Sequence, residues 1–442
     1  MGEGTLGLGE SVSFALGGII GGGIFAVLGV VAKVAGPTAW IAYFAAGIVA
    51  MCTGYSYVKL NRLSDSRGGS VTFIEEFVNR PTLAGMVGWT LVVGYIGTMA
   101  MYGFAFGAYF GQIFGLSTIP VLGLPTRPIM SALVVAGFVG LNVVGVRESG
   151  VAEDVLVVLK VGIVVLFGIV GIWFAYTHGQ LKLGVSEAMS HPVGPFVAAA
   201  VSFVSFEGWQ LLMYDQDSIE NPVENITKAV YFSIPVSTLI YMAVALVTIS
   251  LVSQGQVAKH PDVALAIAAR RFAGQIGYVL IGVAALLSTA SAINATMFST
   301  ALFSKGMLAD DLLPDKIGDA SAEGPPTRTL VIIGLFTIAF TVYGSLEAIT
   351  EFASLSFIVV FGAMSYLAFR ERDSEEINAA IPAIGMVGSA VFLPLLLWHL
   401  YTAQSGILAL VVGIAVAVLL LELLYFERRS VVEGVRDIEK RV

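Results

Sequence analysis

The 442-residue sequence holds a single cysteine, Cys52, so no disulfide can form within the chain and no cysteine-based metal site can be built. Charge is scarce too: Asp, Glu, Lys and Arg make up 12% of residues, against 57% hydrophobic. A soluble domain cannot hide that much apolar surface, which makes lipid the solvent. The four histidines, His178, His191, His260 and His399, show no metal-ligand spacing, and neither metal nor cofactor is expected. A Walker-type loop is missing, because the glycine-rich stretch near the N-terminus lacks the following Lys-Ser/Thr, so ATP does not power the chain by itself. No paired catalytic groups or nucleophile motif appear, which argues against an enzyme. The net charge of −8 argues against a nucleic-acid partner.

What is present is a succession of long apolar runs. A helix needs about 20 apolar residues to cross a hydrocarbon core of about 30 Å, with every backbone polar group satisfied inside the segment. The runs read as twelve transmembrane segments of an all-α polytopic membrane protein, at 12–36, 39–60, 82–114, 127–146, 151–176, 193–214, 228–252, 275–303, 328–343, 345–369, 379–400 and 405–426. Connections are short and leave no room for a soluble module. Gly2–Glu10 carries no Lys or Arg and no small-residue cleavage site follows, so no signal peptide is read. With both termini inside, the inner loops and tails hold sixteen basic residues; the outer loops hold five, Arg127, Lys182, Lys259, Arg270 and Arg271. Lys33 and Lys160 fall inside segments. This asymmetry predicts cytoplasmic termini and a multi-pass protein of the plasma membrane, surrounded by membrane lipids.

Many of the 50 glycines lie within the apolar runs, where small residues let helices approach closely. Two places ask for more. Gly17-Gly18-Ile19-Ile20-Gly21-Gly22-Gly23-Ile24-Phe25 puts five glycines in seven residues of segment 1, a stretch expected to unwind because each Gly costs about 1 kcal/mol relative to Ala. Val204-Ser205-Phe206-Glu207-Gly208-Trp209-Gln210 interrupts segment 6 with a carboxylate, an amide and a glycine. Irregular backbone at membrane depth is tolerated only where it is buried in protein or lines a cavity. Five segments separate the two, so they run in opposite directions. A five-plus-five inverted repeat then sets both breaks near the midplane: 1–192 is the first repeat, 193–378 the second, and 379–442 lies outside.

At these motifs the sequence resembles the amino acid–polyamine–organocation transporter superfamily. The segment 1 signature is Ile20-Gly21-Gly22-Gly23-Ile24-Phe25 with Ala35-Gly36-Pro37. Glu220-Asn221-Pro222, Asn225-Ile226 and Lys228-Ala229 follow segment 6, Ser288 to Thr296 form a small, polar stretch in segment 8, and Leu308–Pro314 follows it. Glu224 and Thr227 depart from the usual basic residue and proline, Gln210 stands where many members have glutamate, and Glu207 is unusual. The resemblance implies the leucine-transporter-type fold with discontinuous helices 1 and 6. Within the superfamily the likeness is to the proton-coupled archaeal broad-specificity amino acid transporter type. There a lysine of the fifth helix takes the place of a bound cation, and Leu159-Lys160-Val161-Gly162 sits in the matching position.

The broken segment 1 predicts a site for the substrate's carboxylate at Gly21, Gly22, Gly23, Ile24 and Phe25, since a half-helix N-terminus binds an anion without a cationic side chain; close helix packing is the alternative. In segment 6 the carbonyls near Val204, Ser205 and Phe206 are candidates for the ammonium group. Phe206 and Trp209 are candidate walls beside Gly208 and Gln210, or plain core, and Tyr95 is a weaker candidate. Glu207 is a partner for a cationic side chain, a protonatable coupling group, or a hydrogen-bonded support of the break. Lys160 either snorkels to the interface or bridges segment 1 near Gly17 to segment 8 near Ser288 or Ser291. Ser288 and Ser291 are equally ordinary interhelical hydrogen-bonders. Glu347, Glu351, His399 and Glu422 are explained by helix ends and interface water. The expected function is secondary active transport of an amino acid or related amine by alternating access, coupled to protons and independent of sodium. The rivals are an exchanger or uniporter without proton coupling, and a non-transporting nutrient sensor or channel.

Overall fold

A computed structural model of the chain describes residues 6–120, 123–145, 150–322, 324–417 and 420. Among them all regular structure is helical: α1 (Leu8–Ala35), α2 (Ala39–Leu63), α3 (Ser70–Val78), α4 (Pro81–Ile113), α5 (Thr126–Val144), α6 (Gly150–Thr177), α7 (Val185–Ser190), α8 (Gly194–Ser202), α9 (Pro222–Leu251), α10 (Gln254–Lys259), α11 (Ala264–Ala309), α12 (Thr327–Tyr343), α13 (Leu346–Arg370) and α14 (Ala380–Ala403). Nine stretches among the described residues are long and apolar enough to cross a membrane by length and composition. The first of these, Leu8–Leu63, contains both α1 and α2, and two shorter apolar helices, α12 and Ser405–Ala417, stand where segments 9 and 12 were read. Residues 418–419 and 421–426 of segment 12, with Glu422, lie outside the described residues.

The centre of the molecule is α1, packed against α4, α6, α8, α9 and α11. A helix hydrophobic all round belongs in such a place. Its expected interruption is not formed: α1 runs unbroken from Leu8 to Ala35 through all of its glycines. The reason is contact. A Cβ on Gly21 would lie 2.6 Å from the Ala292 Cβ, one on Gly22 would overlap the Tyr102 ring, and one on Gly23 would sit 2.9 Å from the Ser205 Cα. The glycines let five neighbours close on the helix, and this packing offsets their low helix propensity. Their backbone amides therefore stay in the helix.

Segment 6 is broken as expected. After α8, short 3₁₀ turns cover Phe203–Phe206 and Trp209–Tyr214, with Glu207 extended between them and Gly208 at φ +121°. Two other boundaries moved. Segment 7 begins six residues early, at Pro222, because Asn221 turns the chain in a left-handed conformation and Pro222 opens α9. Segment 8 belongs to a longer α11 bent at Gly274 (φ 60°, ψ −148°), so its expected start marks the bend.

Candidate functional site

Three carbonyls on one turn of α1 each receive a hydrogen bond from another helix. Lys160 Nζ of α6 donates to Gly17 O at 3.0 Å, the Tyr241 hydroxyl of α9 to Ile19 O at 2.5 Å, and Ser288 Oγ of α11 to Ile20 O at 2.9 Å. A helical carbonyl is shielded by the side chains three and four residues on. Gly17 is followed by Gly21, Ile19 by Gly22 and Gly23, and Ile20 by Gly23, so the second lone pair stays reachable. Lys160 is 2% exposed and shares the buried face of α6 with Val157, Val164 and Phe167, at helical spacing. It does not snorkel. Ser291 is only partly buried and makes no hydrogen bond to α1 among the described residues.

The break crosses α1 backbone to backbone. A Cβ on Gly18 would lie 3.0 Å from the Gly208 Cα, while Gly23 approaches the Ser205 Cα, so rising numbers on α1 meet falling numbers in segment 6. The two elements are antiparallel at this point. The Tyr241 hydroxyl also lies 2.9 Å from Ser205 O and so joins both to α9. Val204 N–H donates to Ser354 Oγ of α13 at 3.1 Å, whose hydroxyl donates to Val201 O at 2.7 Å.

Glu207 is 1% exposed and held by neutral donors. Its Oε2 accepts from the Tyr102 hydroxyl and its Oε1 from Gln210 Nε2, both at 3.3 Å. Gln210 Oε1 accepts from Gly208 N–H at 2.9 Å, and Gln210 Nε2 also donates to the Tyr95 hydroxyl at 3.3 Å. Tyr95 continues to the Tyr214 hydroxyl at 2.9 Å. This network satisfies the Glu207 carboxylate, the Gln210 amide and the Gly208 N–H within the break, as a buried polar cluster requires.

Of the expected walls, Phe206 packs edge-on against Tyr241 at 5.4 Å. Trp209 points instead toward α2 and α13, against Tyr57 and Phe361 at 5.0 and 5.4 Å. Ile24 and Phe25 are buried, with Phe25 edge-on to Tyr109 at 6.3 Å. The anion cradle read at Gly21–Phe25 needed a helix end, and an unbroken α1 supplies none there.

Residues 6–423 match the family model described as amino acid permease. The chain belongs to the amino acid permease family. The permease is 29% identical to an uncharacterized protein of Methanocaldococcus jannaschii, over 95% of each chain. It is also 29% identical to the inner membrane transport protein YbaT of Escherichia coli, over 91% of each chain. A solved manganese transporter of Eremococcus coleocola superposes with a TM-score of 0.61 at 13% identity, over 98% of this chain and 95% of that one. That likeness shows the fold, all-α and of leucine-transporter type, and carries nothing about cargo. The permease is an integral, multi-pass membrane protein that transports amino acids, and it is no enzyme.

Both faces of the permease are closed over the crossing, and all of Gly17–Phe25 and 204–210 is buried. On the face at the end of α1, a plug formed by α10 and the turn Pro261–Val263 sits on Gly29. On the opposite face Leu6 N–H donates to Ser218 O and Leu6 O accepts from Glu220 N–H, each at 2.9 Å. Arg67 pairs with Asp217 at 2.5 Å, and Gln216 Nε2 donates to Asn61 Oδ1 at 2.9 Å. A cavity of about 180 Å³ opens here, lined by Tyr214, Gly68, Phe303 and Asp310 among others.

Beside that cavity Glu75 of α3 is half-buried, and burial first, the Asp310 carboxylate second, push its carboxyl up to about 7. Between about 4.5 and about 7 the folded protein therefore binds more protons than the unfolded chain, and stability falls as pH rises through that window. Thermal unfolding in detergent should show a midpoint that drops from about pH 5 to about pH 8. Glu75→Gln should flatten the drop and melt higher than the unmodified protein at the upper pH. An unchanged slope would count against a buried Glu75 proton.

Some residues of consequence stand elsewhere than expected or carry no signal in the sequence. Glu351 is fully buried, not set at a wet helix end, and its Oε1 lies 3.3 Å from His399 Nε2 of α14 and accepts from Gln404 Nε2 at 3.1 Å. Its signal was its place one turn inside Glu347, whose carboxylate meets Lys33 of α1 at 2.7 Å. Tyr241 and Tyr102 gave no signal, since tyrosine is common in membrane segments.

Proposed function

We propose that the permease accumulates amino acids by proton-coupled, sodium-independent alternating access, with substrate bound where segment 6 is broken against α1. The observation that carries this reading is the buried Lys160 ammonium on Gly17 O. A tethered cation between a peripheral helix and the central one makes a free cation redundant there, and loss and regain of its proton gives the two conformations different proton affinities. Without such a difference a coupling ion shifts nothing. The antiparallel crossing of Gly18 with Gly208 supports the five-plus-five division, with 1–192 and 193–378 as inverted repeats and 379–442 outside them. The excess of basic residues assigned to one face supports cytoplasmic termini in a plasma membrane.

Within the site, Gly18, Gly23, Ser205 and Gly208 bring backbone to backbone. Glu207, with Tyr102, Gln210 and Tyr95, forms the polar side on which a cationic cargo side chain would be read. Purified protein in liposomes, given a panel of labelled amino acids and imposed pH or sodium gradients, tests the proposal. Uptake against a concentration gradient is expected with inward protons and no sodium. Glu207→Gln is expected to cut uptake of lysine or arginine about tenfold relative to neutral amino acids, the value of about 1.4 kcal/mol in a buried charge contact. Sodium-driven accumulation would overturn the coupling, and exchange without net proton flux would favour the antiport reading.

A further inference from the structure

We propose that the permease binds a small oxyanion, a phosphate or carboxylate group, in a cationic cavity beside the plug. The cavity has a volume of about 580 Å³ and lies between the two arms of bent α11, the plug and the end of α4. Arg270 and Arg271 come from the first arm, Tyr278 from the second, Gln112 from α4, and Gln256 and His260 from the plug. No carboxylate lines it among the described residues. Asp262, next to the lining, lies within electrostatic range of His260, Arg127 and the cavity's Tyr278. Two of the five basic residues read as facing this side, Arg270 and Arg271, line this cavity, and a third, Lys259, directly precedes its His260, in a chain of net charge −8.

The bend builds the site. At φ 60° and ψ −148°, Gly274 holds a backbone conformation that side chains rarely adopt, and it folds the arginine arm back over the arm that carries Tyr278. The Arg270 guanidinium lies 5.7 Å from the Tyr278 ring centre, Arg271 Nη2 donates to Gln256 Oε1 at 2.9 Å, and the Tyr278 hydroxyl donates to Gln112 Oε1 at 3.1 Å. A guanidinium has five N–H donors in a planar fork that matches an oxyanion's paired oxygens. Two adjacent forks with few protein acceptors define such a site. Because Gln256 and His260 belong to the plug, an anion held by the arginines also ties the plug to α11. Its binding favours the seated plug by mass action.

Equilibrium dialysis of labelled inorganic phosphate against the purified permease in neutral detergent tests the proposal. A parallel arm measures phosphatidylglycerol retained on the protein by native mass spectrometry. Saturable binding in either arm is expected, weakened about tenfold or more by Arg270→Gln with Arg271→Gln, and unchanged by Lys182→Gln on the same face. Phosphate binding that phosphatidylglycerol does not displace identifies a free anion; displacement identifies a lipid headgroup. Both arginines are exposed, and His260→Gln is the second variant should the double one elute as aggregate. Binding in neither arm, or binding indifferent to both variants, would overturn the site. The test reads binding alone, so it stands apart from the outcome of the uptake experiment.

Discussion

Alanine in place of Gly29 is expected to unseat the plug and leave one face of the permease open. A Cβ there overlaps the Pro261 carbonyl, and both partners are backbone, so no rotamer change relieves the clash. The helix itself loses nothing, since Ala is a better helix former than Gly by about 1 kcal/mol. The plug is the part that moves. Overpacking of this kind costs about 1–3 kcal/mol, enough to shift a two-state closure by roughly fivefold to 150-fold. A cysteine placed at Val263, 1% exposed, in a Cys52→Ala chain gives the readout. An impermeant maleimide should label it slowly while Gly29 is in place and to completion once Gly29→Ala is added, while net uptake falls about tenfold or more. Slow labelling and normal uptake in the Gly29→Ala protein would show that the plug is not the seal.

Replacement of Lys160 by methionine should abolish proton-driven accumulation and leave a folded protein. Its bond to Gly17 O is charge-assisted, a class worth about 1.5–3 kcal/mol, or roughly ten- to 150-fold in the balance between conformations. The carbonyl keeps its place in the α1 ladder, so its loss of a second partner is mild, and methionine fills the space beside Val157. Arginine gives the sharper contrast. It retains the charge but does not release a proton, so Lys160→Arg should exchange substrate in counterflow yet fail to concentrate it under a pH gradient. Accumulation by Lys160→Met equal to that of the unmodified protein would sink the tethered-cation reading.

How much of this was legible follows from the range of each interaction. The positions of the helices were legible because apolar runs are local, and the break at Glu207 and Gly208 because three ill-fitting residues stand together. The five glycines of α1 misled for the converse reason. Propensity is a local quantity, while the Tyr102 ring, Ala292 and Ser205 that keep the helix whole come from far along the chain. The burial of Lys160 stood open between snorkelling and a bridge to Gly17, because its segment is apolar on every side, which erases the periodicity that marks an inner face. The arginine arm of α11 was read as loop, since Arg270 and Arg271 end the apolar pattern before the bend at Gly274. Glu351 and His399 sit on different helices, and no spacing rule joins them.

Tyr241 has one hydroxyl proton, and two carbonyls, Ile19 O and Ser205 O, lie within reach of it. The first belongs to the central helix and the second to the broken segment, so the closed crossing is fastened by a bond that cannot be divided. Should the two elements part, Ile19 O keeps its place in the α1 ladder, whereas Ser205 O, if the proton stays with α1, is left in need of a donor, at a cost of about 1–3 kcal/mol if none arrives. An ammonium group carries three donors and no acceptor, and is therefore the kind of visitor that removes the penalty. Left to itself the fastener stays shut, and the amine of a substrate bound there, as proposed above, would make opening cheaper.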